Sequence, residues 1–552
     1  MFTPVSQFQC SEISLASEYT GLARDLIAVW PAQTEIDRIC QLPPDLSKHL
    51  HMLFQAPSPA SDSPQLWSTQ EMLRLPPPGS HPVLIAQKLL MLSSLSQGAL
   101  TVFPEALRDH YAQISLKVVE TAFRLVTTNE ELTTSVEGIA CIMIEAMIRN
   151  HAGKLHRAWI SLRRAISIAQ LIGLHRNQNL ASNRFLDPGT RSNFDAEHMC
   201  LHMVHMDRYL SLTLGLPYSS LECAVSAASP AVQPLDRLAR LQCAIAERIM
   251  RRDGDDITKV FEIDTSLRKA SDEMPPQWWL IPSLEEIRKG GLYPLQETMR
   301  ICYQLSHYHL LIRLHLPCLV SGVSKHSHSK IAIVHASREI LSRFIAFRAW
   351  TPGGLYCRSI DYLTLIALTA MCVARIEVRT HADASTTSFL AHTHVSDRGL
   401  MERTLQILKD MENDEIAAKL CIIMQRLLDV EADAATGVGY SAVVTKGDDT
   451  VAECDGELVD NDGRLQVHVP YFGTIKFQPK VRGTTESELE RLLPTPTNAP
   501  PNAAEQLFTG WDEQWLQPLP AFDDDWTLQN INGSLFGSFY GGLDGETVLT
   551  RY

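Results

Sequence analysis

The chain has 552 residues, 45% hydrophobic and 20% charged, which suits a protein with a substantial core and room for more than one domain. Its formal net charge of −14 sits almost entirely at one end: from residue 431 onward there are 20 Asp and Glu against 7 Lys and Arg. An acidic chain without a basic stripe has nothing to neutralise a row of phosphates, so it is not expected to grip duplex DNA alone.

Residues 1–80 read as a linker or loosely docked leader. A helix is expected near Leu15–Trp30, closed by Pro31. The Pro- and Ser-rich stretch Ala56–Pro64 and the run Pro76-Pro77-Pro78-Gly79 are breakers. Met1-Phe2-Thr3-Pro4 lacks the basic and apolar regions of a secretory leader.

Residues 81–430 carry helical periodicity and are expected to form an all-α domain of packed helical hairpins. Val136, Ile139, Ala140, Met143 and Met147 mark one helix. Leu155, Ala158, Trp159, Leu162, Ala165, Ile166 and Ala169 mark the next, with Gly173 suiting its end. The short link Asn150-His151-Ala152-Gly153 predicts antiparallel packing. Further helices are expected over 194–214, ending at Gly215 before Pro217, over 298–316, ending at Pro317, and over about 333–349, 361–379 and 400–429. Tyr362–Ala374 has no charge, but its 13 residues fall short of the ~20 that a bilayer requires. It reads as a helix buried on all sides, and no membrane partner is expected.

The 431–490 segment changes character. Gly437-Val438-Gly439, Tyr440–Thr445, Asn461-Asp462-Gly463, Leu465–Val469 and Tyr471–Phe477 read as short strands and turns, a small β appendage. Residues 491–552 form an acidic–aromatic tail, with no Lys or Arg from 492 to 550. Trp511 and Trp515 sit among carboxylates, and Phe522, Trp526 and Leu528 flank Asp523-Asp524-Asp525. Like charges keep such apolar groups solvated, and a segment of this kind can dock as an amphipathic helix on a coactivator. The alternative is a tail that only solvates.

The 12 cysteines are scattered without a CxxC pair, and Cys141, Cys200, Cys302, Cys372 and Cys421 fall inside apolar helical patterns. That pattern fits reduced thiols of an intracellular protein and argues against a cysteine-rich zinc module. His198, His202 and His205 have spacing that puts imidazoles on one helix face, but no Glu stands at a general-base position and only Cys200 is nearby as a further ligand. The pairs His326/His328 and His392/His394 lie in polar stretches. No metal, no cofactor and no catalytic residue is nominated: there is no Walker loop, no GxSxG and no GxGxxG in a strand-to-helix turn.

Four ordered stretches remain. Gly153-Lys154-Leu155-His156-Arg157-Ala158-Trp159 continues through Arg164-Ala165-Ile166 to Leu171-Ile172-Gly173-Leu174-His175-Arg176. Asp207-Arg208-Tyr209-Leu210-Ser211-Leu212 leads into Leu214-Gly215-Leu216-Pro217. Met274-Pro275-Pro276-Gln277-Trp278-Trp279 is the third, and His307-Tyr308-His309-Leu310-Leu311-Ile312-Arg313-Leu314-His315-Leu316-Pro317 the fourth. Together they resemble the fungal-specific transcription factor domain, the helical regulatory region of binuclear zinc-cluster regulators.

The resemblance implies a nuclear, non-enzymatic regulator of a metabolic pathway or biosynthetic gene set. The partners it suggests are a coactivator or the transcription machinery through the tail, a DNA-bound partner or a second copy, and a small-molecule effector. Two departures stand out. Gly215-Leu216-Pro217 replaces the family's Gly-Arg-Pro, and only Cys10 and Cys40 precede residue 141, where the family places six clustered cysteines. The expectation is a regulator without its own zinc cluster, through a lost first exon or through reliance on a DNA-bound partner. The alternative is a helical receptor or scaffold acting on transcription indirectly.

Each motif also has a plain structural reading. His175-Arg176 suits a helix C-terminus, where cations meet the dipole. Asp207 and Arg208 suit a buried ion pair linking helices. Trp278-Trp279 suits a loop anchor more than an effector pocket.

Overall fold

In the computed structural model the described residues are 19–41, 68–99, 105–176, 185–221, 234–252, 257–282, 293–320, 327–350, 357–380, 390, 392–411, 414–435, 440–445, 465–469 and 473–479. The tail from Trp511 to Leu528, Cys10 and His326 lie outside them. The helices are α1 (19–28), α2 (Gln33–Cys40), α3 (Thr69–Met72), α4 (Pro82–Ala99), α5 (Glu105–Ala122), α6 (Glu130–Thr133), α7 (Val136–His151), α8 (Leu155–Leu171), α9 (Pro188–Asn193), α10 (Ala196–Leu214), α11 (Pro234–Met250), α12 (Ile257–Ser271), α13 (Tyr293–Val320), α14 (Ser327–Trp350), α15 (Arg358–Thr380), α16 (His394–Lys409) and α17 (Glu415–Ala435). The chain divides into two compact units, one holding the helices up to Gln425 and the other holding the strands.

The helical unit is all-α and built from neighbours packed in pairs. α4 lies on α5 and α7, α7 on α8, α8 on α10, α10 on α11, α13 on α14 and α14 on α15. The α7–α8 hairpin turns at Gly153, whose φ of +80° is open to glycine at little cost. Ser135 caps α7 by accepting from the Gly138 N–H at 3.0 Å, and Asp195 caps α10 by accepting from the His198 N–H at 3.0 Å.

The expected leader is corrected in its described part. Leu26, Ile36, Ile39, Met72 and Leu73 are buried in the same apolar core as Val83, Leu89, Tyr111 and Cys141. Two helix boundaries also differ. α13 runs through Pro317 to Val320, because Leu316, Cys318 and Leu319 are buried and hold the last turn despite the missing N–H. The single helix expected over 400–429 is two, broken where Asp414 accepts from the Ala417 N–H and starts a new helix. α15 is apolar enough over Arg358–Ile376 to span a bilayer, yet 94% of it is buried inside the protein.

The strands β1 (Tyr440–Thr445), β2 (Leu465–Val469) and β3 (Gly473–Pro479) make an antiparallel sheet of order β1-β3-β2. Phe477 stands opposite Ala442 and Leu465, and Ile475 opposite Val444 and Val467; both Ile475 and Phe477 are buried.

Candidate functional site

The first two motifs meet in one polar hub between α8, α10, α11 and the turn after α10. α10 ends at Gly215, whose φ of +73° lets its N–H reach the Ser211 carbonyl and sends the chain back over the helix. Trp159 Nε1 donates to Ser211 Oγ at 3.1 Å, and Ser211 Oγ donates to the Pro217 carbonyl at 3.1 Å. Arg163 also donates to that carbonyl and lies over the Trp159 ring, 4.7 Å from its centroid. Trp159, Gly215 and Pro217 thus meet in the frame of the hub, whereas Gly153 stands apart at the α7–α8 turn, facing Arg358 and Ile416.

Its centre is ionic. Asp207 Oδ2 accepts from Arg208 Nη1 at 2.6 Å, from the Ser219 N–H at 2.8 Å and from Ser219 Oγ at 3.0 Å, while Oδ1 lies 3.3 Å from Arg163 Nε. Arg208 donates through Nε to Glu247 Oε1 at 3.0 Å and through Nη2 to the Leu221 carbonyl at 3.0 Å, and it lies over the Tyr218 ring at 4.5 Å. Asp207 and Arg208 are neighbours on one helix, so their own contact does not link helices. The cross-links are Arg208–Glu247 to α11 and Arg163–Asp207 to α8. Sequence spacing does not reveal Glu247 or Arg163; the available signal is a charge bordering an apolar helical stripe.

His175 and Arg176 are corrected in place. α8 has already ended at Leu171, Gly173 takes φ +76°, and both side chains stand exposed in a separate 3₁₀ turn, Leu174–Arg176.

The third motif anchors a loop. Pro276–Trp279 is one 3₁₀ turn. Trp279 Nε1 donates to the Ser271 carbonyl at 3.0 Å, its own carbonyl accepts from Arg343 Nη2 at 2.6 Å, and its ring lies 4.8 Å from that of His307. Trp278 packs on the core formed by Leu238, Ile263, Tyr303 and Leu310, and its carbonyl accepts from Gln304. Arg343, fully buried, completes the knot by donating through Nε to Gln304 Oε1 at 2.7 Å.

The histidines separate by environment. His198 and His202 approach Nε2 to Nε2 at 3.0 Å, whereas His205 stacks on Tyr303 at 5.1 Å. A cavity of about 10 Å³ lies between His205, Arg208, Gln242 and His309, the room of one water and far below that of a metabolite site. Burial pushes His307 down to about 4 and His309 down to about 3, so both are neutral near pH 7.

The fourth motif supplies a group that sequence spacing hides. His315 Nε2 lies 3.3 Å from Asp264 Oδ1, and His328 Nε2 lies 3.5 Å from Asp264 Oδ2. The three residues come from α12, α13 and α14, and one ligand atom of each lies within 4.8 Å of the others. Burial lowers the His315 pKa. Burial would raise that of Asp264, but its bond to His315 and the nearby Arg268 hold it below the usual carboxylate range. Pro317, two residues on, stays inside α13.

No family model matches the chain and no solved structure matches it. Among curated proteins it is 33% identical over 476 residues to the dehydrocurvularin biosynthesis regulator of Alternaria cinerariae, covering 83% of this chain and 61% of that protein. Identity to the regulator of the same name from Aspergillus terreus is 31%, covering 85% of this chain and 66% of the relative. Identity to transcription factor eupR of a Phoma species is 32%, covering 56% of this chain and 68% of the relative. The chain thus spans just under two thirds of the length of the two biosynthesis regulators.

Proposed function

Since the chain belongs to a family of fungal transcription regulators, and is not an enzyme, we propose that it acts in the nucleus to control a set of biosynthetic genes. The observation that carries this reading is that the long alignments run to proteins named as regulators of biosynthesis. The helical unit is then the part that receives or relays a signal, and residues 491–552 are the part that recruits the transcription machinery. A body knotted by the ion pairs of Arg208 and by the hydrogen bonds of buried Arg343 to Gln304 and Trp279 suits relay, because packed interfaces switch between discrete arrangements and resist smooth deformation.

Fusing residues 492–552 to an unrelated DNA-binding domain tests the tail. Reporter activation above the DNA-binding domain alone is the expected result, with loss when Phe522, Trp526 and Leu528 become Ala; background activity removes this role. Deletion of the gene should silence a co-regulated biosynthetic gene set by transcript profiling. An unchanged transcriptome would refute the pathway reading.

A further inference from the structure

We propose that Asp264, His315 and His328 form a binding site for a zinc-class divalent cation that staples α12, α13 and α14 together. Two imidazoles and one carboxylate are a donor set that suits Zn²⁺ and disfavours Mg²⁺ and Ca²⁺, which take oxygen ligands. Tetrahedral zinc with bonds of about 2.0–2.1 Å places its ligand atoms about 3.3 Å apart. His315 Nε2 lies 3.3 Å from Asp264 Oδ1 and His328 Nε2 lies 3.5 Å from Oδ2, with one ligand atom of each residue within 4.8 Å of the others, so a small rotation of the carboxylate and of the exposed His328 ring closes the set to that edge length.

The surroundings fit as well. His315 is fully buried and its Nδ1 lies 3.0 Å from the buried Ser329 hydroxyl. A cation that replaces the Nε2–H···Asp264 hydrogen bond leaves the ring proton on Nδ1, which then donates to Ser329, the ligating tautomer with its outer partner in place. His328 stacks on Phe261 with ring centroids 6.0 Å apart, which limits its swing. Its side chain is 52% exposed, so the cation has an entry path and a coordination position open to water or to a partner's ligand. Arg268 holds Asp264 Oδ2 at 2.7 Å but is itself 66% exposed, and its long side chain can yield to a cation.

The test uses the full chain stripped with a chelator, titrated with Zn²⁺ by calorimetry and with Co²⁺ by visible absorption. One equivalent should bind, with the intense Co²⁺ bands of a low-coordination site. His328→Ala, at an exposed position that leaves the fold intact, should weaken this binding at least ~100-fold. Ser329→Ala should weaken it ~10-fold through the outer partner alone, and Arg268→Ala should tighten it by freeing the carboxylate. Absence of a one-to-one site, or equal binding by wild type and His328→Ala, overturns the proposal.

Discussion

Replacing Arg208 with Met removes the centre of the polar hub while keeping a side chain of similar length. Two carboxylates then lose a partner, with unequal consequences. Glu247 is partly exposed and turns to water. Asp207 is fully buried and keeps Ser219 N–H, Ser219 Oγ and the contact with Arg163. Removing one member of a buried pair costs about 3–5 kcal/mol, chiefly through the charge left behind. The partners that Asp207 retains place the loss near ~3 kcal/mol. The cation–π contact with Tyr218 adds ~1 kcal/mol. The double variant Asp207→Asn/Arg208→Met leaves no fully buried charge behind, since Arg163 and Glu247 are partly exposed, and should recover ~1–2 kcal/mol relative to the single change. Urea unfolding followed by tryptophan fluorescence measures both, since Trp159 is bonded into the hub through Ser211. If Arg208→Met falls within ~1 kcal/mol of wild type, or the double variant is no more stable than the single, the hub does not hold the helices as argued.

Gly138→Ala reverses the usual sign of a helical glycine substitution, which ordinarily gains ~1 kcal/mol. A Cβ there would lie 2.5 Å from the Thr133 carbonyl oxygen and 2.6 Å from its Cα, so backbone must move and at least ~2 kcal/mol should be lost; an increase in the urea midpoint would refute this. The buried histidines make stability fall in acid. His307 at about 4 and His309 at about 3 are held below the ordinary histidine value of about 6.5 of an unfolded chain, so their contribution is complete above pH 6.5. It is lost as pH falls from about 6.5 toward about 4 for His307 and toward about 3 for His309, at up to ~1.4 kcal/mol per pH unit for each. His309→Gln should flatten the slope of stability against pH by about that amount in urea titrations between pH 7 and 5, and an unchanged slope would show that His309 takes up its proton alike in the folded and unfolded chain.

Much of the helical unit is legible because burial repeats at helical spacing. Val136–Met147 and Leu155–Ala169 announce α7 and α8, and the short link between them announces their hairpin. What the sequence hides are features decided by distant contacts. Pro317 reads as a stop, yet buried neighbours carry α13 past it. The break before Asp414 is marked only by a capping residue inside an otherwise continuous apolar pattern. Asp207 and Arg208 are visible as an adjacent pair, but their cross-helix partners lie 39 and 44 residues away in the chain, at Glu247 and Arg163. Asp264 stands 51 residues before His315, a separation that no local motif encodes. Residues 19–41 look like part of a leader because the Pro- and Ser-rich breakers at 56–64 and 76–79 cut them off from the helical run, but Leu26, Ile36 and Ile39 suffice to seat them.

The enclosed helix α15 has a consequence for the half-made protein. Its cover includes α16, whose Asp397 binds Arg338 and Arg375 from the two preceding helices, at 2.9 Å and 2.8 Å. A transcript terminated or spliced just after Thr380 would yield a product in which α15 still packs on α13 and α14 but Arg338 and Arg375 lose the Asp397 carboxylate, leaving cations beside a bilayer-length apolar helix that has lost part of its cover. Such a product is expected to aggregate more readily than the full chain.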